Sequence, residues 1–330
     1  MKRSFFIYNN GELKRKDNTL TFIDENLEKR DIPIENINDL NIMSELSFNT
    51  KMINYISQYG ITLHFFNYYS FYTGSYYPKE KLVSGELLVK QVENYSDLEK
   101  RLIIAKAFVE GAASNIYRNI RYYNGRGKNL DEYLLKIKSI SKNIENSKSI
   151  NELMGYEGNI RKTYYNAWNI IINEDINFTK RVKHPPDNMI NTLISFVNSL
   201  IYTRVLSEIY KTQLNPTISY LHEAGTRRFS LALDISEIFK PILGDRLIFS
   251  LLNKKQINEK SFTKNLNYLH LTKDASKLIV SELDEKLNQT IKCKELNKNV
   301  SYQYLMRLEC YKLVKHLLGE KKYEPFKMNW

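Results

Sequence analysis

The chain has 330 residues, 42% of them hydrophobic and 26% charged, enough for a packed core and more than one ordinary domain. Its formal net charge of +12 and two cysteines, Cys293 and Cys310, exclude a disulfide-stapled scaffold and match no zinc spacing, so two reduced thiols of a cytosolic protein are expected. The N-terminal residues lack the long apolar stretch of a signal peptide. The longest uncharged apolar run, Asn188 to Thr203, is too short and too rich in asparagine for a membrane span, and the chain reads as soluble and cytoplasmic.

The first eighty residues read as β-rich. Ser4–Tyr8 is a short aromatic strand, Asn10-Gly11 signals a two-residue hairpin, and Glu12–Lys16 is the expected partner. Thr19–Ile23 and Arg30–Ile34 repeat the pattern. Asn49–Tyr59 has a helical pattern, with Asn49 as its cap and Gly60 as its stop. Ile61–Asn67 follows as a buried strand, and the tyrosine-rich Tyr68–Tyr77 predicts a second hairpin around Thr73-Gly74. Pro78 marks a boundary, beyond which no proline occurs before Pro185 and helical periodicity takes over. Leu82–Tyr123 supports one or two long helices, Asn124–Lys128 a basic turn, Leu130–Ile144 and Ile150–Ile172 two more. Asp187 is placed to cap a helix running to about Tyr210 that is apolar nearly all round, a central core helix. A last helix, Ser301–Leu318, has a serine cap and Gly319 beyond its end. The expected fold class is α+β: a small β domain at 1–78, then a large all-α domain at 79–330.

Charge divides along the same line. Residues 1–80 carry nine Lys and Arg against ten Asp and Glu, leaving forty against twenty-seven for residues 81–330. An excess of cations confined to one region is the footprint of a phosphate-binding surface. Solubility, or lysine enrichment from an AT-rich coding sequence, is the bland alternative.

Five histidines occur, and one lies in the sharpest local pattern, LHEAGTRRFSLALDISEIFKPILGDR from Leu221 to Arg246. His222 precedes a loop with Gly225, Arg227 and Arg228, and a helix is expected to start near Ser230. Asp234 and Glu237, three apart, share one face of that helix, and a turn can bring His222 to it. One imidazole beside one or two carboxylates suits Mg²⁺ or Mn²⁺; equally, acids near a helix N-terminus favour its dipole and the histidine is structural. A second pattern is LMGYEGNIRKTYY, Leu153 to Tyr165. Gly155 and Gly158 flank Glu157 inside a helix, where each glycine costs about 1 kcal/mol relative to alanine. Close approach of another helix or of a phosphate backbone supplies a reason, and Arg161, Tyr165 and Trp168 follow at roughly helical spacing. RVKHPPDN, Arg181 to Asn188, is a basic turn whose Arg181 and Lys183 can grip phosphates. His184 beside those cations and His64 in an apolar strand read as structural.

The ordered set LMGYEG, KHPPDNMIN and LHEAGTRRFSLALDISEIFKP resembles the CRISPR-associated spacer-acquisition integrase, the first of the two core adaptation proteins. SFNTKMINYISQYGITLHFFNYYSFYTGSYYP and the terminal YEPF, Tyr323 to Phe326, resemble the type I-B branch of that family. The resemblance implies a β-sandwich N-terminal domain that dimerises and an all-helical domain holding a divalent ion, Mg²⁺ or Mn²⁺. It implies metal ligands at Glu157, His222 and Glu237, with Asp234 a neighbouring acid serving the same site; many relatives carry aspartate where this chain has Glu237. It further implies metal-dependent cleavage and strand transfer, in which the 3′-hydroxyl of incoming double-stranded spacer DNA attacks a CRISPR repeat boundary. The implied partners are a second copy of the chain and the small second core adaptation protein. Candidate phosphate contacts are Arg161, Tyr165, Arg181, Lys183, Arg227 and Arg228. Two other readings stand beside this one: a non-catalytic helical nucleic-acid-binding module, and a stand-alone nuclease for branched DNA in repair.

Overall fold

The computed structural model describes residues 2–67, 71–79, 82–174, 176, 178–182, 186–226, 229–265, 268–293 and 295–329. They form two compact units, residues 1–83 and 84–330.

The first unit contains β1 (Arg3–Ile7), β2 (Gly11–Lys16), β3 (Thr19–Asp24), β4 (Lys29–Pro33), β5 (Ile37–Ile42), β6 (Leu46–Phe48), α1 (Thr50–Gln58), β7 (Thr62–Phe66) and β8 (Tyr72–Tyr76). One four-stranded sheet has the order β1-β5-β7-β8 and the other β4-β3-β2-β6. Both sheets contribute to one core, Ile7, Leu40, Ile42 and Leu63 from the first and Leu13, Leu20 and Phe22 from the second, with Met52, Tyr55 and Ile56 of α1. The side chain of Asn49 caps α1 by accepting from the Met52 N–H at 3.0 Å, and Gly60 ends it at φ +66°.

Two local expectations give way to long-range pairing. β1 and β2 do not form a hairpin about Asn10-Gly11: β1 runs parallel to β5, while β2 pairs with β3 and β6 in the other sheet. Gly11 is needed because a Cβ there would run into the Ile23 carbonyl. The second hairpin exists as β7 and β8, but its register, Phe66 opposite Tyr72, puts Thr73-Gly74 inside the strand. Its turn falls at 67–71, of which 68–70 lie outside the described residues.

The second unit contains α2 (Gly85–Ser96), α3 (Leu98–Asn124), α4 (Asp131–Ser141), α5 (Ile150–Ile171), α6 (Met189–Ile209), α7 (Ser230–Phe239), α8 (Arg246–Asn253), β9 (Phe262–Asn265), β10 (Tyr268–Leu271), α9 (Lys273–Asn288), β11 (Thr290–Cys293), β12 (Lys298–Ser301) and α10 (Tyr302–Leu317). It is mostly helical and not all-α: β9–β10 and β11–β12 are two-stranded hairpins that helical periodicity hides. Six helices of this unit have side-chain caps, with Ser84, Asp97, Ser149, Asn188, Thr272 and Ser301 each accepting from a first-turn N–H, whereas α4, α7 and α8 have none. The cap of α6 is Asn188; Asp187 instead accepts from the Asn188 and Asn191 amides. Helix α6 is buried along most of its length, and among the described residues it alone is long and apolar enough to cross a membrane.

Helices α7 and α8 run on through a wider π-helical turn, Lys240–Asp245. Pro241 has no N–H and its ring crowds the carbonyl one turn back, which a wider turn relieves. The turn is pinned from α3, whose Asn119 amide donates to the Pro241 carbonyl at 3.0 Å and to the Tyr164 hydroxyl of α5 at 2.7 Å. Asn115, one turn earlier, donates to the Ile238 and Phe326 carbonyls. The C-terminal segment thereby locks α7 onto α3, and Gly111 leaves room for it, since a Cβ there would lie 2.8 Å from Pro325.

Candidate functional site

Glu157 and Arg161 lie one turn apart on α5, and the Arg161 Nε donates to Glu157 Oε1 at 2.8 Å. The Nη2 of the same guanidinium reaches Glu237 Oε2 on α7. Glu237 also accepts from the Lys240 ammonium at 2.5 Å, at the first residue of the π turn. Two carboxylates distant in sequence therefore share one cation at a site with little solvent: the Arg161 and Glu237 side chains are 12% and 11% exposed. Burial works against the Arg161 charge, and Glu157, Tyr165 and Asp245 together more than offset it, so its pKa is raised. Lys240 is pushed down to about 7, by burial first and then by the positive charge of Arg161. Behind them, burial lifts Asp245 to about 6 against the opposing pull of Arg161 and a hydrogen bond with Tyr164.

His222 is positioned from another direction. Asp234 of α7, fully buried, accepts from the Tyr220 N–H at 2.7 Å and the Leu221 N–H at 2.9 Å through Oδ2. Its Oδ1 accepts from the His222 N–H at 3.1 Å and meets the ring Nδ1 at 2.7 Å. A carboxylate that takes up Nδ1–H selects the tautomer whose Nε2 keeps its lone pair. The flanking chain is clamped by Arg101 of α3, whose Nε donates to the Tyr220 carbonyl at 2.9 Å and whose Nη2 pairs with Glu223 at 3.1 Å. Asp234 and Glu237 are one turn apart on α7, which sets the imidazole a turn from the paired glutamates.

The structure thus brings Glu157 to Glu237, and His222 to Asp234. Among the described residues it gathers no cluster of three or more His, Cys, Asp or Glu side chains close enough to cage an ion. The donor set nevertheless fits a hard divalent cation: two carboxylates already converge on one positive group, and the nearby imidazole has its second nitrogen fixed. Asp234 has both oxygens committed to four N–H groups, whereas the Glu237 oxygens face the Arg161 and Lys240 cations. 

The candidate phosphate contacts fare differently. Arg161 is engaged by the two glutamates. Arg181 is committed to the start of α6, with Nη1 donating to Asn191 at 3.1 Å and Nη2 to the Ser195 hydroxyl at 2.7 Å. Tyr165 is half-buried in an aromatic cluster with Trp168 and Phe178, ring centroids 5.4 and 5.6 Å away. Lys183, His184, Arg227 and Arg228 lie outside the described residues. Among the described residues, nothing lies within 4 Å of where a Cβ on Gly155 or Gly158 would sit, so no described helix packs on them. Lys240 and Asp245 were missed by sequence reasoning; Lys240 is three residues from Glu237, a helical spacing that could have flagged it, whereas Asp245 is joined to the site through Tyr164, Arg161 and Lys240.

A strand-rich unit preceding a mostly helical unit, whose paired acids and oriented histidine come from α5, α7 and the chain before α7, defines a class of two-unit proteins with an acidic site on a basic helical body. The family model for CRISPR associated protein Cas1 matches residues 5–285. A CRISPR-associated endonuclease Cas1 of Fusobacterium nucleatum subsp. nucleatum is 67% identical over 330 residues, covering 100% of this chain and 98% of that protein. Another from Thermodesulfovibrio yellowstonii is 48% identical over 328 residues, covering 99% and 100%. The solved structure of a Cas1 protein from Thermotoga maritima matches with a TM-score of 0.86 at 39% identity, over 98% of this chain and 99% of that one. A casposase bound to an integration product shares the fold, TM-score 0.88 at 20% identity over 99% and 93%. The chain belongs to the CRISPR-associated Cas1 family.

Proposed function

We propose that this protein is a divalent-metal-dependent DNA endonuclease and integrase that inserts new spacers into a CRISPR array. The observation that carries the reading is the convergence of Glu157 and Glu237 on one buried cation, one helical turn from the acid that orients His222. The 67%-identical relative bears the name of an endonuclease, and the casposase of like fold was solved with an integration product.

Glu157, Glu237 and the His222 Nε2 would hold the ion. Mg²⁺ or Mn²⁺ supplies Lewis acidity that polarises a phosphate oxygen and steadies a departing or attacking oxygen. Asp234 holds the His222 proton at Nδ1 and so keeps Nε2 directed outward. Arg161 and Lys240 balance the charge of the two glutamates within the site. With the 3′-hydroxyl of the incoming DNA as nucleophile at the repeat boundary, no protein side chain forms a covalent intermediate. Gly155 and Gly158 leave the α5 surface beside Glu157 bare, where a phosphate backbone can approach closely. The surplus of cations beyond residue 80 draws in DNA, and the strand-rich unit with balanced charge serves to pair two copies. The small second adaptation protein is the further partner, in keeping with a fold shared with the Cas1 part of a Cas6-RT-Cas1–Cas2 complex.

The test is Mn²⁺-dependent cleavage and strand transfer by the full chain. Glu157→Ala, His222→Ala and Glu237→Ala should each abolish both and weaken Mn²⁺ binding by calorimetry, with near-wild-type DNA affinity and folding; Asp234→Ala should be impaired less completely. Normal turnover by His222→Ala or Glu237→Ala at limiting metal rejects the site. Loss of DNA binding in step with activity favours a non-catalytic binder.

A further inference from the structure

The acidic site holds a cation of the chain's own. The Arg161 guanidinium bridges the two acids, Nε to Glu157 Oε1 and Nη2 to Glu237 Oε2, and so fills the space that an ion shared by both carboxylates would need. Lys240 reaches Glu237 alone, at Oε1. The Arg161, Lys240 and Glu237 side chains are nearly buried, and Glu157 forms the open side of the site. A divalent ion placed against the same carboxylates would sit beside two cations with little water to screen them, and repulsion between nearly buried like charges is costly. The guanidinium and the ion therefore exclude one another.

Arg161 has a second acceptor. Asp245 is 3% exposed, and among the described residues its Oδ2 has no hydrogen-bond partner. It is the last residue of the π turn that Lys240 begins, and a turn bonded from i to i+5 stacks its first and last residues. Both consequently act on Arg161, Asp245 attracting its charge and Lys240 repelling it. A buried carboxylate oxygen left unpaired costs free energy, and the arginine fork is well shaped to satisfy it. The side chain thus stands between two sets of acceptors, the glutamate pair in front and an unused oxygen behind.

We infer that Arg161 is a built-in counter-ion which a divalent ion must displace, its guanidinium swinging from Glu157 and Glu237 to Asp245 as the ion binds. The inference rests on the metal reading above. Arg161 is then a positioning residue that sets ion affinity: it keeps the two acids together and neutralised, and its departure is part of what ion binding costs. Asp245 lowers that cost by receiving it. A fixed Arg161 that merely braces the glutamates predicts the opposite sign, since removing a brace weakens ion binding.

The experiment is calorimetry of Mn²⁺ binding to the full chain without DNA, for the wild type, Arg161→Gln, Asp245→Asn and the double variant, with melting in EDTA as the folding control. Glutamine keeps an N–H donor for the acids and removes only the charge. Arg161→Gln should bind Mn²⁺ about tenfold or more tighter, the low end of what one neighbouring charge does to a carboxylate's affinity for a cation. Asp245→Asn should weaken binding in the wild type and far less in the Arg161→Gln background, a coupling that a double-mutant cycle isolates. Additive effects overturn the inference, because a fixed cation acts only through its field. Weaker or unchanged binding by Arg161→Gln overturns it too, and leaves the metal reading standing. The Arg161 Nε–H resonance of the wild type is the second readout and requires no substitution: it should shift on addition of Mg²⁺, and a resonance unmoved at saturation overturns the exchange. Absence of Mn²⁺ binding by the wild type, or equal binding by Glu157→Ala/Glu237→Ala, removes the metal reading and this inference with it.

Discussion

Asp234 shows how much one buried carboxylate can fix. It faces four N–H groups and no cation, so an amide in its place would turn an NH₂ toward donors. Asp234→Asn should lower stability by roughly 1–3 kcal/mol for each donor left unsatisfied and free the His222 tautomer. Denaturant unfolding reads the first effect and imidazole ¹⁵N shifts the second; wild-type values in both would mean that Asp234 does not orient the ring. Asp245 gives a pH signature of opposite sign to ordinary surface carboxylates. Its pKa is about 6 in the folded chain against an ordinary 3.8, raised by burial, so the folded state binds the proton more tightly. Its contribution is greatest below pH 3.8 and is lost as pH rises through 6. Asp245→Asn should therefore gain stability relative to the wild type between pH 4 and 6.5 in chelator; a flat difference across that window would contradict the burial argument.

At the scale of elements, the helices named from the sequence were legible because their caps and stops are local, whereas α8 and α9 were not read and Asp187 yields to Asn188 as the cap of α6. Asn49 before α1, Ser301 before α10 and Gly319 after it each act within one turn. Strand β5 was not legible: INDLNI alternates apolar residues with Asn and Asp, which disfavour strands. It forms because it lies between two parallel neighbours, and its polar face is satisfied internally, Asp39 accepting from Ser4 and Asn41 at 2.8 Å each. The same limit explains the Asn10-Gly11 turn, whose flanking strands belong to different sheets. For α5 the two glycines make a sharper test. With open space over both, Gly155→Ala/Gly158→Ala should strengthen the helix by about 1 kcal/mol per site and raise the melting temperature. If a DNA backbone passes close beside Glu157, the added methyl groups should cut strand transfer and raise the DNA Kd. Greater stability with undiminished strand transfer would leave the glycines without a DNA role.

For the whole molecule, the two units differ in charge as well as architecture: residues 1–80 are nearly balanced, and the surplus lies beyond them. The first has its own core, so each part can be tested alone. Residues 84–330 should run as a monomer on analytical ultracentrifugation yet keep salt-sensitive DNA binding, and residues 1–83 should associate without binding DNA. A dimeric 84–330 fragment, or equal DNA affinity in residues 1–83, would refute that division of labour.

The sequence alone determined what depends on neighbours along the chain: the change from β-rich to helical near Pro78, the charge partition, the limits of capped helices such as α1 and α10, and the motifs around Glu157 and His222. It could not determine that Arg161 lies between two glutamates, that Asp234 is consumed by four N–H groups, or that Arg181 is committed to α6. Those outcomes hang on which side chains meet across α3, α5 and α7, and a charged group's role is set by the partner that offsets its desolvation. That partner is 76 residues away for Arg161 and Glu237, a separation that no local spacing encodes and only the packing of the helices closes.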